Sequence, residues 1–175
     1  MSAAQTPTAA DVEALSTLAR ERCLRIAVVE SLTSGGLAHA VGAGDEASEW
    51  FAGGIVSYMQ DVKEHVLGVA PGIDPCSAAC AEQLAAGGRE LFAADVCVAT
   101  TGVGGPESEG GHAPGTVYIG WATEGAHGHR LLHLNGSPEQ VMDASITAAT
   151  QLLLAHGAEI PARSDIKTPQ VAGLH

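Results

Sequence analysis

Ser31 lies directly after a short apolar run and directly before a glycine-rich segment. The run, RIAVVE at 25–30, is rich in β-branched residues and predicts a buried strand, and SLTSGG at 31–36 predicts a turn. A serine at such a junction exposes its oxygen near the amide groups of a helix start, which can stabilise an oxyanion. The G-x-S-x-G pattern of a nucleophile elbow is absent. Taken alone, the local pattern favours a simpler role, in which Ser31 or Thr33 caps the following helix.

Lys63 is the residue that could serve as the base for a serine nucleophile. It lies in QDVKEHVLGV, which predicts a short helix ending near Gly68, just after a strand predicted at 53–58. A partly buried lysine there could lose its proton near neutral pH. Because the charges of Asp61 and Glu64 would oppose that loss, we expect both to face water. The alternative is an ordinary lysine on the exposed face of the helix.

Histidines and cysteines raise the alternative of a metal site. Three histidines are close together in the sequence, namely His127, His129 and His133. A third ligand at suitable spacing is not evident, so a solvated strand edge is the favoured interpretation. No CxxC pair occurs, and buried thiols in a reducing compartment are expected for all four cysteines: Cys23, Cys76, Cys80 and Cys97. The glycine-rich loop at 102–115 lacks the G-K-[ST] ending of a P-loop. We therefore expect neither a metal nor a cofactor.

The elements that must position these residues alternate between helix and strand. Helices are predicted over 8–22, 37–43, 60–68, 77–92 and 137–157, and strands over 25–30, 53–58, 95–101, 116–123 and 129–134. This order predicts a single three-layer α/β/α domain with a mixed sheet. Hydroxyls and glycines follow three of the strands, and ligand sites in such sheets lie at the carboxyl ends of strands.

Composition excludes several classes of function. The chain has 175 residues, 46% of them hydrophobic, and a net charge of −12. This acidity argues against nucleic acid and against anionic membranes as partners. No apolar run approaches the length of a membrane span. We expect one domain over 8–157, a mobile tail over 158–175, a cytoplasmic location, and a small-molecule substrate, with a homo-oligomer as a candidate assembly.

Four ordered segments resemble the CinA C-terminal domain family, in its stand-alone nicotinamide-nucleotide amidase form. They are VVESLTSGGLA at 28–38, FAGGIVSYMQDVKEHVLGV at 51–69, VATTGVGGP at 98–106 and PGTVYIG at 114–120. The resemblance implies a three-layer α/β/α fold and metal-independent hydrolysis of the carboxamide of nicotinamide mononucleotide to a carboxylate and ammonia. It also implies catalytic roles for Ser31, Lys63 and Tyr58. The substrate-binding positions that follow from it are Thr33, Ser34, Gly35, Gly36, Thr101, Gly102, His112 and Thr116.

The chain departs from the family pattern near the last helix and in the serine turn. Pro138 and Met142 stand where many members have arginines, and Ser34 replaces a usual glycine. If those arginines bind the phosphate of the mononucleotide, their loss weakens that contact by roughly 1.5–3 kcal/mol, and His112 is the candidate to replace them. Two main interpretations stay open: a serine amidase for the mononucleotide or a related amide, and a non-catalytic or substrate-shifted relative that binds a nucleotide-like ligand. A third, a metal site built by the histidines, is favoured by nothing beyond the number of histidines.

Overall fold

The structure is a computed structural model, and it describes residues 9–163. Its strands are β1 (Ile26–Glu30), β2 (Phe51–Val56), β3 (Val96–Gly102), β4 (Thr116–Thr123) and β5 (His127–His133). Its helices are α1 (Ala9–Arg22), α2 (Gly36–Gly42), α3 (Ala47–Trp50), α4 (Gln60–Leu67), α5 (Ala78–Leu91) and α6 (Pro138–Glu159).

The five strands form one mixed sheet in the order β2-β1-β3-β4-β5. Strand β1 pairs in parallel with both β2 and β3, whereas β3–β4 and β4–β5 are antiparallel. The chain leaves β1 toward β2 on one side, while β3 lies on the other side. The carboxyl ends of β1 and β3 therefore form the kind of crevice at which open α/β sheets bind ligands.

Helices cover both faces of the sheet and bury a separate apolar core on each. On one face, residues of α1, α2 and α6 pack against alternate positions of β1 and β3, including Ile26 and Val98. On the other face, α5 and the end of α4 pack against the remaining positions, including Val29 and Ala99. This arrangement confirms the predicted three-layer α/β/α domain.

Local sequence signals explain where the main elements begin. The five residues of β1 are all buried, as expected for a strand covered on both faces. Ser77 caps α5 by accepting a hydrogen bond from the amide of Cys80. Ser137 and Gln140 form the predicted capping box of α6, with Pro138 in the first turn.

Strands β2 and β5 each begin two residues earlier than predicted, and three further details differ from the sequence-based prediction. Helix α6 continues two residues beyond Gly157, the predicted stop, because this glycine lets the helix pack against Leu18 and Leu24 of the α1 region. Helix α3 was not predicted, and it buries Trp50. Residues 158–163 make hydrogen bonds to the α1 region, since the side chain of Arg22 donates to the carbonyls of residues 158 and 160. The predicted cap Thr8 and residues 164–175 of the predicted tail lie outside the described residues.

Candidate active site

A cavity of about 580 Å³ opens at the carboxyl ends of β1 and β3. Its volume falls within the usual range for small-molecule sites. Its wall combines the turn after β1, the start of α4, the 74–76 segment, the loop after β3 and the first turn of α6. The lining residues are Ser31, Leu32, Tyr58, Gln60, Lys63, Asp74, Pro75, Cys76, Thr101, Gly102, Val103, Gly104, Gly105, Glu107, Glu109, Gly110, His112, Pro138, Glu139 and Met142.

Ser31 and Lys63 meet in this cavity although they are 32 residues apart in sequence. The ammonium nitrogen Nζ of Lys63 lies 3.4 Å from Oγ of Ser31. The lysine side chain is only 3% exposed, so it is not the surface lysine of the alternative interpretation. A second hydrogen bond, 3.0 Å long, runs from Nζ to the main-chain carbonyl of Tyr58. These two contacts fix the lysine nitrogen beside the serine oxygen.

Tyr58 acts on the lysine through its backbone. The tyrosine side chain is 65% exposed and lines the cavity, while its carbonyl oxygen accepts from Lys63. The structure therefore gives the carbonyl, not the phenol, the role of orienting the lysine.

Burial lowers the pKa of Lys63 from its ordinary value, because the apolar surroundings disfavour the ammonium form. The thiol of Cys80 and the carboxylate of Glu109 act in the opposite direction. Asp61 is exposed, as expected, and Glu64 is half-buried, with its carboxylate accepting a hydrogen bond from Gln60. The acid that opposes deprotonation was therefore not anticipated from the sequence: it is Glu109, in the loop after β3.

A buried carboxylate, Glu30, holds the turn that carries Ser31. Its two oxygens accept hydrogen bonds from the amides of Gly35, Leu37 and Ala38 and from the hydroxyl of Thr33. The amides at the start of α2 are thus bound to Glu30, and the expectation that they stabilise an oxyanion is wrong. Leu32 lines the cavity next to Ser31, and its amide has no hydrogen-bond partner among residues 9–163.

Several predicted substrate-binding residues belong to this turn and do not line the cavity. The Thr33 hydroxyl is buried between Glu30 and the hydroxyl of Thr100. Ser34 and Gly35 both adopt positive φ angles, 48° and 100°, which the tight turn requires. Gly36 begins α2 and faces Ile146. This segment therefore holds Ser31 in position but does not itself line the cavity.

Of the four predicted substrate-binding residues in and after β3, three line the cavity and one does not. Thr101, Gly102 and His112 line the cavity. The hydroxyl of Thr101 donates to the carbonyl of Pro75, which ties β3 to the opposite segment at 2.6 Å. Thr116 is buried and does not line the cavity. Its carbonyl oxygen packs so closely against Gly102 that a Cβ atom added to this glycine would be only 2.3 Å away from it.

Residues missed by the sequence analysis supply most of the charge in the cavity. Asp74 accepts from, or shares a proton with, Nε2 of His112 at 2.6 Å. Burial raises the pKa of this aspartate, but hydrogen bonds from His112 and the Cys76 amide outweigh it and leave the pKa lowered. Glu107 and Glu109 come from the loop after β3, and Glu139 comes from α6. A glycine-rich loop with interspersed acids was the only signal for two of them.

The cysteines and the histidines of β5 form no metal site. Cys76, Cys80 and Cys97 are buried and free, as expected, and burial raises the pKa of the Cys76 thiol to about 11. Cys23 is exposed, so the expectation that all four thiols are buried is wrong for this residue. His127 and His129 both approach Glu82, at 3.6 and 2.7 Å. Across residues 9–163, no group of three or more His, Cys, Asp or Glu side chains has the arrangement of a metal site. In the same part of the chain, no helix is long and apolar enough to cross a membrane.

Comparison with known proteins gives relatives that bear the name of a competence-damage inducible protein. A relative from Bacillus velezensis is 37% identical over 147 residues, covering 82% of this chain and 35% of the relative. Another from Geobacillus kaustophilus is 41% identical over 128 residues, covering 70% of this chain and 31% of the relative. Both carry the name of a competence-damage inducible protein. The chain spans about a third of the length of these curated relatives.

Solved structures of similar length share the fold. A competence or damage-inducible protein from Enterobacter asburiae superposes with a TM-score of 0.81 at 28% identity, over 84% of this chain and 96% of that chain. A CinA superfamily protein from Escherichia coli gives a TM-score of 0.75 at 30% identity, over 85% and 92%. A family model described as the CinA C-terminal domain matches residues 9–156, which is most of the chain. The chain therefore belongs to the CinA C-terminal domain family.

Proposed function

We propose that this protein is a metal-independent amidase in which Ser31 is the nucleophile and Lys63 is the general base. The observation that supports this most directly is the 3.4 Å approach of a buried lysine nitrogen to a serine oxygen on the wall of a ligand-sized cavity. A lysine can activate serine only in its neutral form, and burial favours that form. The spacing is long for a hydrogen bond, as is common before substrate is bound.

The reaction follows from these two groups. Oγ of Ser31 attacks the carboxamide carbon while its proton passes to Nζ of Lys63. The C–N bond then breaks as Lys63 returns that proton to the leaving nitrogen, and ammonia departs. Water attacks the resulting ester, Lys63 takes the proton of the water, and Ser31 recovers a proton as the acid is released. The lysine thus serves as base and then as acid in each half of the cycle.

Backbone amides are the donors available to the oxyanion. Leu32 follows the nucleophile directly, and Gly104 and Gly105 also line the cavity. The amides of all three residues have no hydrogen-bond partner among residues 9–163. Loss of one such donor typically costs two to three decades in turnover, or roughly 2.7–4 kcal/mol. We assign the main role to Leu32 because it is adjacent to Ser31.

The proposed substrate class is the carboxamide of nicotinamide mononucleotide or a related amide, as the family resemblance implies. The second candidate function is a relative that binds such a ligand without turning it over, or with a shifted substrate. The observation favouring this second candidate is that Pro138 and Met142 line the cavity, where the family resemblance leads one to expect arginines. A cytoplasmic location and a homo-oligomer stay predictions.

Ammonia release from the purified protein tests the proposal. We expect turnover of a pyridine carboxamide that resists chelators, and Ser31→Ala should lower kcat by three or more decades. Ser48→Ala is the matched control, since Ser48 is exposed on α3 away from the cavity. Near-normal ammonia release by the Ser31 variant would refute the nucleophile. Binding of the amide without any release by the wild-type protein would favour the second candidate.

A further inference from the structure

We propose that the cavity selects a carboxamide that carries a positive charge and no phosphate, such as a pyridinium nucleoside, in preference to its mononucleotide. This inference deepens the proposed amidase function and rests on it. It follows from the charge that the chain places around Ser31.

Acidic groups outnumber basic ones on the cavity wall. Four carboxylates line it, at Asp74, Glu107, Glu109 and Glu139, and all four are exposed at its surface. The wall contains no arginine among residues 9–163, and its basic side chains there are Lys63 and His112. Walls of one charge sign concentrate ligands of the opposite sign and repel those of the same sign.

Neither basic side chain offers a phosphate an uncompensated positive charge. Nε2 of His112 is 2.6 Å from Asp74, so a carboxylate already compensates the charge of a protonated His112. Lys63 is held by Ser31 and the Tyr58 carbonyl at the base of the cavity. A phosphate bound to its nitrogen would occupy the position that the base needs for the serine proton.

The start of α6, a place where helices often bind anions, offers them few donors here. The amide of Gln140 donates to the hydroxyl of Ser137, and Pro138 has no amide hydrogen to offer. Glu139 adds a carboxylate to the same turn, on the cavity wall. A phosphate ester, which carries a charge of about −1.5 to −2 at neutral pH, would meet a negative side chain where it needs donors.

The same wall suits a flat cation. Leu32, Pro75, Pro138 and Met142 supply apolar surface for a ring, and the acids at 107, 109 and 139 lie at its surface. A pyridinium ring linked to ribose combines an apolar face with a delocalised positive charge and carries the carboxamide that Ser31 would attack. Adding the phosphate reverses the sign of the ligand's net charge.

The test compares nicotinamide riboside with nicotinamide mononucleotide at low ionic strength. Calorimetry on the Ser31→Ala protein measures binding without turnover, and ammonia release by the wild-type protein measures kcat/KM. We expect the riboside to be favoured by at least about tenfold in both, with the gap shrinking as salt is added. Tighter binding of the mononucleotide, or no binding of the riboside, would overturn the inference.

Variants that remove acidic charges test whether the cavity wall causes the preference for the riboside over the mononucleotide. Replacing Glu107 and Glu139 together by glutamine should narrow the gap several-fold, whereas Glu124→Gln, on an exposed turn away from this cavity, should leave it unchanged. An unchanged gap in the double variant, once circular dichroism shows that it is folded, would also overturn the inference. Riboside binding without Ser31-dependent ammonia release would refute the amidase and leave the charge selectivity standing.

Discussion

Replacing Glu30 by glutamine should destabilise the fold, because it removes the charge at the centre of the serine turn. One carboxylate oxygen of this fully buried side chain accepts from the Thr33 hydroxyl at 2.6 Å and from the amides of Gly35 and Leu37 at 3.0 and 2.9 Å. The other accepts from the amide of Ala38 at 2.8 Å. A glutamine has one oxygen, so its NH₂ group must face a donor on one side.

The magnitude follows from counting those bonds. Placing the glutamine oxygen on the side with three donors loses the bond to Ala38, and hydrogen bonds to charged groups are worth about 1.5–3 kcal/mol. The other three bonds weaken as the negative charge disappears. We expect a loss of about 3 kcal/mol in the free energy of unfolding. In a domain of this size that corresponds to a fall of roughly 6–12 °C in Tm.

Denaturant unfolding and thermal melting of the full chain measure this loss. Glu13→Gln is the matched control, because Glu13 is exposed on α1 and its replacement should change stability by less than about 0.5 kcal/mol. In the folded fraction, kcat should also fall, since a displaced nucleophile loses alignment with its substrate. A Glu30→Gln protein within 1 kcal/mol or so of the wild type would show that the turn does not depend on this carboxylate.

The remaining predictions concern the protonation of the base. In the proposed mechanism, only neutral Lys63 can accept the proton of Ser31. Wild-type activity should therefore rise with pH, with an apparent pKa below that of an ordinary lysine, because burial lowers the pKa of Lys63. Lys63→Met should abolish this rising limb of the pH–rate profile and most of the rate. Lys63→Arg should restore neither, since a guanidinium stays protonated. Retention of the wild-type pH profile by the Met variant would point to another base. Glu109→Gln should move the limb to lower pH, because the Glu109 carboxylate raises the pKa of the lysine. Asp61→Asn, which changes an exposed acid on α4, is the control. If the pH–rate profile of Glu109→Gln matched that of Asp61→Asn, the Glu109 carboxylate would not raise the pKa of Lys63.

Most elements of the fold could be predicted because their signals are local. The β-branched run of β1 and the capping sequence before α6 each determine structure within a few residues. The end of α6 could not be predicted in the same way. Gly157 looks like a stop signal in sequence, but its role is set by the distant side chains of Leu18 and Leu24, against which the helix packs.

The approach of Lys63 to Ser31 could be predicted for a related reason. Ser31 and Lys63 each follow a strand of the parallel part of the sheet, and parallel strands bring their carboxyl ends to one edge. The role of Glu30 in the turn after β1, which carries Ser31, could not be predicted from the sequence. Nothing in the pattern VVES shows that Glu30 points into the turn and occupies the helix amides, since a strand end of this kind commonly carries a charge into solvent.

The acids of the cavity were not predicted, because their positions depend on how loops fold back. Asp74 precedes α5 and Glu109 lies in a glycine-rich loop, and both reach the site only through tertiary contacts such as the bonds of Asp74 to His112 and Thr101 to Pro75. Sequence spacing contains no information about these approaches. Composition does show the overall acidity of the chain, but not that four of its acids line the cavity that contains Ser31.

Under the proposed mechanism, the acidic wall and the buried Lys63 together predict that binding of a cationic substrate favours the neutral, active form of the lysine. In the free protein, the negative charge of Glu109 partly offsets the burial that lowers the pKa of Lys63. A cationic ligand in the cavity would counter that carboxylate and disfavour the ammonium form, so the pKa of Lys63 should fall further in the complex. The limb in kcat, which reports the complex, should therefore lie at lower pH than the limb in kcat/KM, which reports the free enzyme. A neutral pyridine carboxamide, which brings no charge, should show a smaller separation of the two limbs than the riboside. If both substrates gave the same separation, or the kcat limb lay at higher pH, the positive charge of the ligand would have no part in activating the lysine.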